Sequence, residues 1–286
     1  MDLNKSPNNY NKLNNFEIQV IKFKATEPPF TGKYNDFDEK GIYVCRQCGE
    51  ALYFSDDKFN SSCGWPSFDD EIPEKVKHQP DADGRRTEIL CNKCGGHLGH
   101  IFKGENYTPK NVRHCVNSVS LDFISADDIS NKYKTAYFGG GCFWGVQYYL
   151  DEINGVLFTE AGYSGGNTKN PTYEQVCSDT TNHAEVVKVV YNPEIVSYND
   201  LLTIFFEIHN PTQLNRQGVD VGSQYRSIIL FTDEEQKNIA ELKLAGMISS
   251  DIDVKTEIIK FEKFFRAEEY HQYYYAKQGI YPQCEH

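Results

Sequence analysis

Apolar and polar positions follow different patterns in the two halves of the chain. The first half contains short apolar segments separated by turn residues, a pattern typical of strands. In one of them, Val119, Leu121 and Phe123 alternate with polar residues, as in a strand with one buried face. The predicted strands are residues 42–44, 51–54, 86–91 and 117–123. We therefore expect this half to be mainly β, with antiparallel sheets.

The second half mixes the periodicity of helices with that of strands. After a predicted strand at residues 135–138 and a turn of three glycines, Phe143, Val146 and Leu150 recur at helical spacing. Further strands are predicted at residues 186–191, 227–231 and 254–261. Further helices are predicted to begin at Ser197 and Thr232 and to cover residues 267–277. This mixture predicts an α+β two-layer sandwich.

A polar segment without periodicity, residues 125–134, separates the halves and is the predicted linker. The N-terminal domain is then predicted to span residues 16–124 and the C-terminal domain residues 135–286. A chain of 286 residues is long enough for two domains of ordinary size.

Acidic residues outnumber basic ones by 41 to 29, which gives a formal net charge of −12, and both halves are acidic. Binding to a phosphate backbone needs clustered positive charge, so we expect no nucleic-acid partner. The apolar runs are far shorter than the roughly 20 residues that cross a bilayer, and residues 1–19 lack the apolar stretch of a secretory signal. We therefore expect no membrane partner and a cytoplasmic location.

The nine cysteines include two Cys-x-x-Cys pairs, each followed by glycine. Without an export signal, this spacing points to metal binding or redox chemistry rather than to a structural disulfide framework. Four thiolates from two such turns form a tetrahedral zinc site, so we predict one structural zinc ion per chain, which would staple the N-terminal domain. The alternative is two independent pairs that are redox-active or buried. The predicted ligands are Cys45, Cys48, Cys91 and Cys94.

Cys142 lies within Gly-Gly-Gly-Cys-Phe-Trp-Gly at residues 139–145, directly after a predicted strand and at the first turn of a predicted helix. The N–H groups and the positive dipole end of a helix N-terminus stabilise a thiolate and lower the pKa of a cysteine. We therefore predict a nucleophile, rather than a buried cysteine that packs as a small apolar residue. Phe143 and Trp144 are expected to line a pocket beside it.

The region from Tyr133 to Cys284 resembles the A-type peptide methionine sulfoxide reductases. The resemblance rests on the Gly-Cys-Phe-Trp-Gly motif around Cys142 and on further motifs in the same order. These motifs lie at residues 161–163, 170–173, 183–187, 209–212, 217–218 and 222–227. One departure is Asn182, where members of the family commonly have glycine before His-Ala-Glu, which leaves the local turn open.

This resemblance implies that Cys142 attacks the sulfoxide sulfur, which gives a sulfenic acid and releases methionine. Phe143 and Trp144 would hold the methyl group, and Glu185 would protonate the oxygen if burial raises its pKa. Taken alone, Glu185 fits a surface position on an amphipathic strand equally well. The other implied site residues are Tyr173 and Tyr225, as hydroxyl donors to the oxygen, and Asp220, in substrate binding.

The sulfenic acid must then be resolved by a second thiol. Cys284 lies in a tail rich in Tyr, Gly and Pro, and the family often has its resolving cysteine in this region. The alternative for Cys284 is an idle thiol at a frayed terminus. Cys177 is interpreted as structural.

A second group of candidates lies in the first half of the chain. Arg113 and His114 precede Cys115 and supply the positive potential that stabilises a thiolate. His97 and His100 follow the second zinc pair and are candidates for proton transfer or for metal binding. Because four cysteines already fill a zinc shell, we favour proton transfer.

Residues 16–123 resemble the B-type methionine sulfoxide reductases. The resemblance rests on both zinc pairs, on the motif around Cys115 and on the motifs at residues 26–32, 41–43, 64–68 and 97–100. It implies that Cys115 is the nucleophile and that Trp65 packs on the substrate methyl group. It also implies that Cys63 is the resolving cysteine; the alternative for Cys63 is a packed thiol without a chemical role. The other implied site residues are His97, His100 and Asn117, around the oxygen, and Arg113, which tunes Cys115. His114 stands where an aromatic residue is frequent.

The two resemblances together predict a bifunctional enzyme. Oxidised methionine is chiral at sulfur, and each epimer needs its own enzyme. We expect the N-terminal domain to reduce the R-sulfoxide and the C-terminal domain the S-sulfoxide of free and protein-bound methionine, through intramolecular disulfides that thioredoxin reduces. The alternatives are a zinc-ribbon interaction module fused to a scaffold domain, and one active domain beside a degenerate one.

Overall fold

The structure is a computed structural model that describes residues 10–82 and 84–282. The chain divides into two compact units, one ending at Asn131 and the other beginning at Lys132, and this division falls within residues 125–134. Most of that segment is not irregular but forms a helix, Ala126–Lys132. Within the described ranges, every helix is too short or too polar to cross a membrane.

The N-terminal unit consists mainly of strands. Its elements are α1 (Asn15–Ile21), β1 (Gly41–Cys45), β2 (Ala51–Phe54), β3 (Lys58–Phe59), β4 (Ser67–Phe68), β5 (Val76–Pro80), β6 (Thr87–Cys91), β7 (His97–Lys103), β8 (Val112–Val116), β9 (Leu121–Ser125) and α2 (Ala126–Lys132). They form a three-stranded sheet in the order β2-β1-β9 and a six-stranded sheet in the order β3-β4-β8-β7-β6-β5, and all pairs are antiparallel.

Aromatic and branched side chains from both sheets fill one core in this unit. Tyr43 of β1, Tyr53 of β2 and Phe68 of β4 are fully buried. The rings of Tyr53 and Phe68 stack with their centroids 4.3 Å apart. Burial of each such side chain contributes roughly 1.5 to 3 kcal/mol, so this core fixes the strands that hold the candidate residues.

The C-terminal unit combines one large sheet with helices. Its elements are β10 (Lys134–Gly139), α3 (Phe143–Asp151), β11 (Val156–Ser164), α4 (Tyr173–Cys177), β12 (Ala184–Tyr191), α5 (Tyr198–Glu207), β13 (Arg216–Gln217), β14 (Asp220–Val221), β15 (Ile228–Phe231), α6 (Glu234–Ile248), β16 (Glu257–Lys260), β17 (Phe264–Arg266) and α7 (Tyr274–Gln278). The six-stranded sheet has the order β16-β15-β10-β12-β11-β17, and β13 and β14 form a separate hairpin. The unit is therefore α+β.

Helices cover one face of this sheet because their apolar stripes meet its buried side chains. Val146 of α3 and Phe205 of α5 belong to the same core as Phe138 of β10 and Val187 of β12. Helix α5 begins with a capping box in which Ser197 and Asp200 satisfy each other's backbone N–H groups, as its sequence predicts. This packing holds the N-terminus of α3 against the end of β10.

The structure differs from the predicted elements in three places. Residues 117–120 are not strand: Ser118–Ser120 form a 3₁₀ turn, in which the Ser118 N–H donates to Glu27 at 2.7 Å and its hydroxyl accepts the Tyr34 N–H at 2.8 Å. The helix predicted at residues 267–277 is interrupted at Tyr273, which has a φ of +52° and donates its N–H to Gln147 at 2.7 Å. Helix α1 lies in a segment for which strands and turns were predicted. In each case tertiary hydrogen bonds or caps decide the backbone, and the apolar pattern does not.

Candidate active sites and zinc cluster

The four cysteines predicted as zinc ligands lie together. Cys45 ends β1 and Cys91 ends β6. The glycine after each pair has a positive φ, +76° for Gly49 and +71° for Gly95. Each glycine donates its N–H to the carbonyl oxygen of the first cysteine of its pair at 2.8 Å. The Sγ atoms of Cys45 and Cys94 are 3.6 Å apart, and those of Cys48 and Cys91 are 3.5 Å apart. A tetrahedral site with zinc–sulfur bonds of about 2.3 Å has sulfur–sulfur edges of about 3.8 Å. The cluster therefore fits a tetrahedral zinc ion.

Cys115 lies on β8, where both neighbouring strands hold its backbone. It pairs with His100 of β7 and with Ser67 of β4. Strand β7 approaches so closely that a Cβ atom on Gly99 would lie 2.0 Å from the Cys115 carbonyl oxygen. Only glycine fits at position 99 without moving the strand that carries Cys115.

The thiols of Cys63 and Cys115 are in contact, with 3.8 Å between the Sγ atoms. Arg113 Nη1 donates to Cys63 Sγ at 3.3 Å, and Glu105 holds the same guanidinium at 2.7 and 3.0 Å. The hydrogen bond from Cys115 lowers the pKa of Cys63 to about 4, and the same contact raises the pKa of Cys115. In this arrangement the contact favours ionisation of Cys63 over ionisation of Cys115.

A pocket of about 110 Å³ opens beside Cys115. It is lined by Thr26, Trp65, Arg86, Gly99, His100, Phe102, Cys115 and Asn117. The rings of Trp65 and Phe102 offer an apolar wall, and His100 and Arg86 offer polar groups, which is the combination that a methyl sulfoxide requires. Because Cys115 lines the pocket, it is the sulfur of the pair that a bound molecule meets.

A chain of hydrogen bonds through Glu27 fixes two residues of the pocket. The Trp65 indole N–H donates to the Glu27 carbonyl oxygen at 2.9 Å, and the Glu27 N–H donates to Asn117 Oδ1 at 2.9 Å. The Asn117 side-chain nitrogen donates to the Leu98 carbonyl oxygen, also at 2.9 Å. The amide of Asn117 is thus engaged with the backbone on both sides, and Trp65 has a fixed orientation.

The two histidines of β7 occupy different positions. His100 lines the pocket, and its Nε2 lies 2.9 Å from Asp81, which also pairs with Arg86 at 2.8 Å. His97 is buried behind it, and its Nδ1 donates to Glu88 at 2.7 Å. Burial lowers the pKa of His97, and no described residue accepts or donates a hydrogen bond at its Nε2. His100 is therefore the histidine within reach of the pocket.

In the C-terminal unit, Cys142 and Glu185 meet at one helix N-terminus. Cys142 is the N-cap of α3. Glu185 lies on β12, which pairs with β10, and its Oε2 accepts the Phe143 N–H at 2.9 Å. The positive end of α3 therefore faces both the thiol and the carboxyl group.

Glu185 is not a surface residue, since only 1% of it is exposed. Burial raises the pKa of Glu185 to about 8, and the nearby negative charge of Asp220 adds to this effect. Most Glu185 side chains therefore carry a proton at pH 7, which is the condition under which Glu185 can act as an acid.

Two tyrosines lie near this carboxyl group. Burial raises the pKa of Tyr225, and the charges of Glu185 and Asp220 raise it further. Burial also raises the pKa of Tyr173, whose hydroxyl hydrogen-bonds to Cys177 and whose backbone N–H donates to Glu268 at 3.0 Å. Both hydroxyls therefore stay protonated and can donate hydrogen bonds.

The two aromatic residues after Cys142 have different surroundings. Phe143 is buried in the core, so it supports the site from below and does not line an open slot. Trp144 is half-buried, donates its indole N–H to His271 at 3.1 Å and stacks on Tyr274 with 3.7 Å between ring centroids. Trp144 is thus the more exposed of the two rings.

Three remaining positions complete the comparison with the sequence. Cys284 lies outside the described residues. Cys177 is exposed at the end of α4, so it is not a buried structural thiol. Asn182 has a φ of +55°, a left-handed conformation that asparagine adopts more readily than most residues, which explains how it replaces glycine before His-Ala-Glu.

Residues 134–286 match the family model described as peptide methionine sulfoxide reductase. The chain belongs to this family. Residues 13–125 match the model of the SelR domain, so a B-type methionine sulfoxide reductase domain precedes the A-type domain. The activity of this methionine sulfoxide reductase is the reduction of methionine sulfoxide, with the S epimer reduced by the A-type domain and the R epimer by the B-type domain. The alternative of an interaction module fused to a scaffold is therefore wrong.

The A-type domain is similar to curated proteins named peptide methionine sulfoxide reductase MsrA. One from Sulfolobus acidocaldarius is 50% identical over 154 residues, which cover 53% of this chain and 87% of that protein. One from Nautilia profundicola is 52% identical over 149 residues, which cover 52% and 86%. The crystal structure of reduced Mxr1 from Saccharomyces cerevisiae matches with a TM-score of 0.51 and 33% identity, and covers 54% of this chain and 91% of that chain.

Sequence reasoning missed the residues that hold the candidate side chains of this reductase. Asp81, Glu88 and Glu105 orient His100, His97 and Arg113 respectively. In the A-type domain, buried His271 packs against the rings of Phe143 and Tyr173, with centroids 5.0 and 4.4 Å away. The three acids lie outside recognisable motifs: Glu88 lies on β6, and Asp81 and Glu105 lie in the turns after β5 and β7. For His271, a histidine in an aromatic segment close to the C-terminus was the available signal.

Proposed function

We propose that Cys142 attacks the sulfur of methionine S-sulfoxide while Glu185 protonates the oxygen. A new sulfur–oxygen bond to Cys142 replaces the one to methionine, so the thiol and the sulfoxide become a cysteine sulfenic acid and methionine. The shared helix N-terminus supports this assignment, because it favours a thiolate at Cys142. Glu185 Oε2 accepts the Phe143 N–H, which leaves Oε1 to carry the proton.

The other A-type residues bind and orient the sulfoxide. Trp144 packs on the methyl group, with Phe143 behind it in the core. Tyr173 and Tyr225 donate hydrogen bonds to the oxygen, since both retain their protons. Asp220, on β14 beside Tyr225, binds the substrate.

In the B-type domain, Cys115 attacks the sulfur of methionine R-sulfoxide. The observation that supports this most strongly is the position of Cys115 on the wall of a pocket, with the Cys63 sulfur 3.8 Å from its own. Arg113 stabilises the charge on either sulfur because its guanidinium lies beside the pair.

The pocket around Cys115 provides the remaining contacts. Trp65 packs on the methyl group, and His100 delivers a proton toward the oxygen. His97 supports the His100 ring, whose centroid is 5.6 Å away. Asn117 holds the backbone of the pocket in place.

Each sulfenic acid is then converted to a disulfide with release of water. In the B-type domain, Cys63 resolves Cys115, and the sulfurs need to approach by only about 1.8 Å to reach a disulfide bond length of about 2.05 Å. In the A-type domain, Cys284 resolves Cys142. Thioredoxin reduces both disulfides by thiol–disulfide exchange.

Zinc, location and domain bounds are part of the same proposal. One zinc ion per chain, held by Cys45, Cys48, Cys91 and Cys94, stabilises the N-terminal sheets; the tetrahedral spacing of the sulfurs supports this. Zinc supplies no chemistry to the reduction, because its ligands are distinct from the reacting thiols. The domains span residues 16–124 and 135–286, and the enzyme acts in the cytoplasm on free and protein-bound methionine sulfoxide.

The test is a steady-state assay on resolved sulfoxide epimers with thioredoxin as the electron donor. Cys142→Ser should abolish reduction of the S epimer and spare that of the R epimer, and Cys115→Ser should do the reverse. Loss of both activities in one correctly folded variant would refute the assignment of one nucleophile to each epimer. Full activity of wild type with thioredoxin, but none with Cys63→Ser on the R epimer, would support the resolving role.

A further inference from the structure

The B-type domain contains a second group of metal-ligand side chains apart from the zinc cysteines. Glu71, His78 and His114 place one carboxylate oxygen and two ring nitrogens within 4.8 Å of one another. The geometry points to a divalent transition-metal site with these three ligands, which binds zinc in addition to the four-cysteine cluster. Two imidazoles and one carboxylate form a common ligand set for zinc, with a fourth position left to water.

The distances between the three side chains are close to those of a metal site. Glu71 Oε2 lies 2.8 Å from His78 Nε2 and 3.3 Å from His114 Nδ1. Ligand atoms around a tetrahedral zinc ion are roughly 3.3 to 3.6 Å apart when the bonds are about 2.0 to 2.2 Å long, so the Glu71–His114 distance matches and the Glu71–His78 distance is about 0.5 Å too short. The His78 side chain is 37% exposed and stands at the sheet edge, so a small shift of its ring completes the site.

His114 supplies an independent indication of a missing ligand. Its side chain is only 4% exposed, and among the described residues its Nδ1 has no hydrogen-bond partner, although Glu71 Oε2 is 3.3 Å away. The carboxylate oxygen thus lies off the direction in which this ring nitrogen bonds. A buried polar atom without a partner costs roughly 1 to 3 kcal/mol, and a metal ion on the nitrogen lone pair removes that cost.

The local charge also suits a cation. Glu71 is joined by Asp70, whose side chain accepts the Glu71 N–H at 2.9 Å. Two lysines lie close enough to act on the histidines: Lys103 keeps its positive charge near both rings, whereas Lys110 is neutralised by Asp57, Asp69 and Asp70 at 2.9 to 3.4 Å. The site therefore keeps the negative charge of Glu71 for the metal.

A metal here would close the curved sheet. His78 lies on β5 and His114 on β8, which are three strands apart in the order β8-β7-β6-β5. Three steps cover about 14 Å in a flat sheet, yet the two rings are 5.8 Å apart. The ion would join the edge strand, the segment with Glu71 and the strand that carries Cys115, so it would stabilise the domain and leave the pocket open.

The test uses the full-length protein saturated with zinc, passed through a desalting column and analysed for metal per chain. Wild type should hold one zinc more than His78→Asn and one more than Glu71→Gln. Exposed Glu74, three residues from Glu71, provides the matched control, and Glu74→Gln should bind as much zinc as wild type. A variant at His114 also disturbs buried packing, so the exposed His78 decides the test. Equal zinc content in wild type and His78→Asn would overturn the proposal, whatever the content of the four-cysteine cluster.

Cobalt spectroscopy identifies the ligands. Cobalt(II) added to protein that holds a single equivalent of zinc, in the four-cysteine cluster, should give a weak visible spectrum without sulfur-to-metal charge-transfer bands, and His78→Asn should lose this spectrum. Charge-transfer bands that persist in His78→Asn would mean that the extra metal binds the Cys63–Cys115 pair, and the proposal would be wrong. Zinc in excess of one equivalent should also raise the thermal unfolding midpoint of wild type but not that of His78→Asn.

Discussion

Glu185 allows the sharpest prediction, because its buried carboxyl group must carry a proton at working pH. The change Glu185→Gln keeps the size of the side chain and an oxygen that can accept the Phe143 N–H. It removes the transferable proton. Loss of a general acid typically reduces the rate by about 10² to 10⁴, so we expect kcat on the S epimer to fall by at least about 100-fold. The rate on the R epimer should not change.

The pH dependence follows from the raised pKa of about 8. About nine tenths of Glu185 is protonated at pH 7 and about one tenth at pH 9. The S-epimer rate of wild type should therefore fall as the pH rises through about 8, and this alkaline decline should be absent from the residual activity of Glu185→Gln. The exposed residue Glu241 offers a control in the same domain, and Glu241→Gln should keep the wild-type profile.

The same pKa shift predicts how stability changes with pH. The folded-state pKa of Glu185 lies above the ordinary value of 4.5, so folding takes up a proton between these values and stability declines as the pH rises from about 4.5 to 8. Glutamine has no such cost. Thermal unfolding should show wild type losing stability relative to Glu185→Gln over this range. A folded variant that retains more than a third of the S-epimer rate would refute the role of Glu185 as an acid, and a variant less stable than wild type at neutral pH would contradict the stability prediction.

Three further predictions concern the B-type domain. In a single-turnover experiment, Cys63→Ser should still release one methionine per chain from the R epimer. In a steady-state assay with thioredoxin, the same variant should not turn over, and continued turnover would exclude Cys63 as the resolving thiol. Cys91→Ala should lose the zinc of the four-cysteine cluster and the R-epimer activity, while the S-epimer activity persists. Metal analysis and the two epimer assays check this together. A variant that retains R-epimer activity without zinc would show that zinc is dispensable. Gly99→Ala should abolish R-epimer activity, since the new Cβ atom would lie 2.0 Å from the Cys115 carbonyl oxygen, and wild-type kinetics for this variant would show that β7 and β8 can separate freely.

Patterns of local spacing predicted much of this reductase. The Cys-x-x-Cys pairs, the cysteine at the start of α3 and the capping box at Ser197 depend on a few neighbouring residues, and the structure has all of them as expected. Strand β2 has the predicted bounds because its apolar run is short and flanked by turns.

Features that depend on distant contacts were not predictable in this way. Nothing near Glu88 in the sequence indicates that it holds His97, because strand register brings them together. The break at Tyr273 depends on Gln147, which is 126 positions away. The pKa of Cys63 is lowered mainly by a hydrogen bond with the Cys115 thiol, which is 52 positions away in the sequence. The arrangement of Glu71, His78 and His114 likewise requires the curvature of the sheet.

The central claim is that each epimer is reduced by its own cysteine, and trapping of the sulfenic acid tests it most directly. The double variant Cys63→Ser/Cys284→Ser lacks both resolving thiols. It would be mixed with one resolved epimer and with a carbon nucleophile that captures sulfenic acids. Peptide mass spectrometry would then identify the modified cysteine. The account predicts a label on Cys115 alone with the R epimer and on Cys142 alone with the S epimer. A label on the same cysteine with both epimers, or on neither of these two, would contradict it.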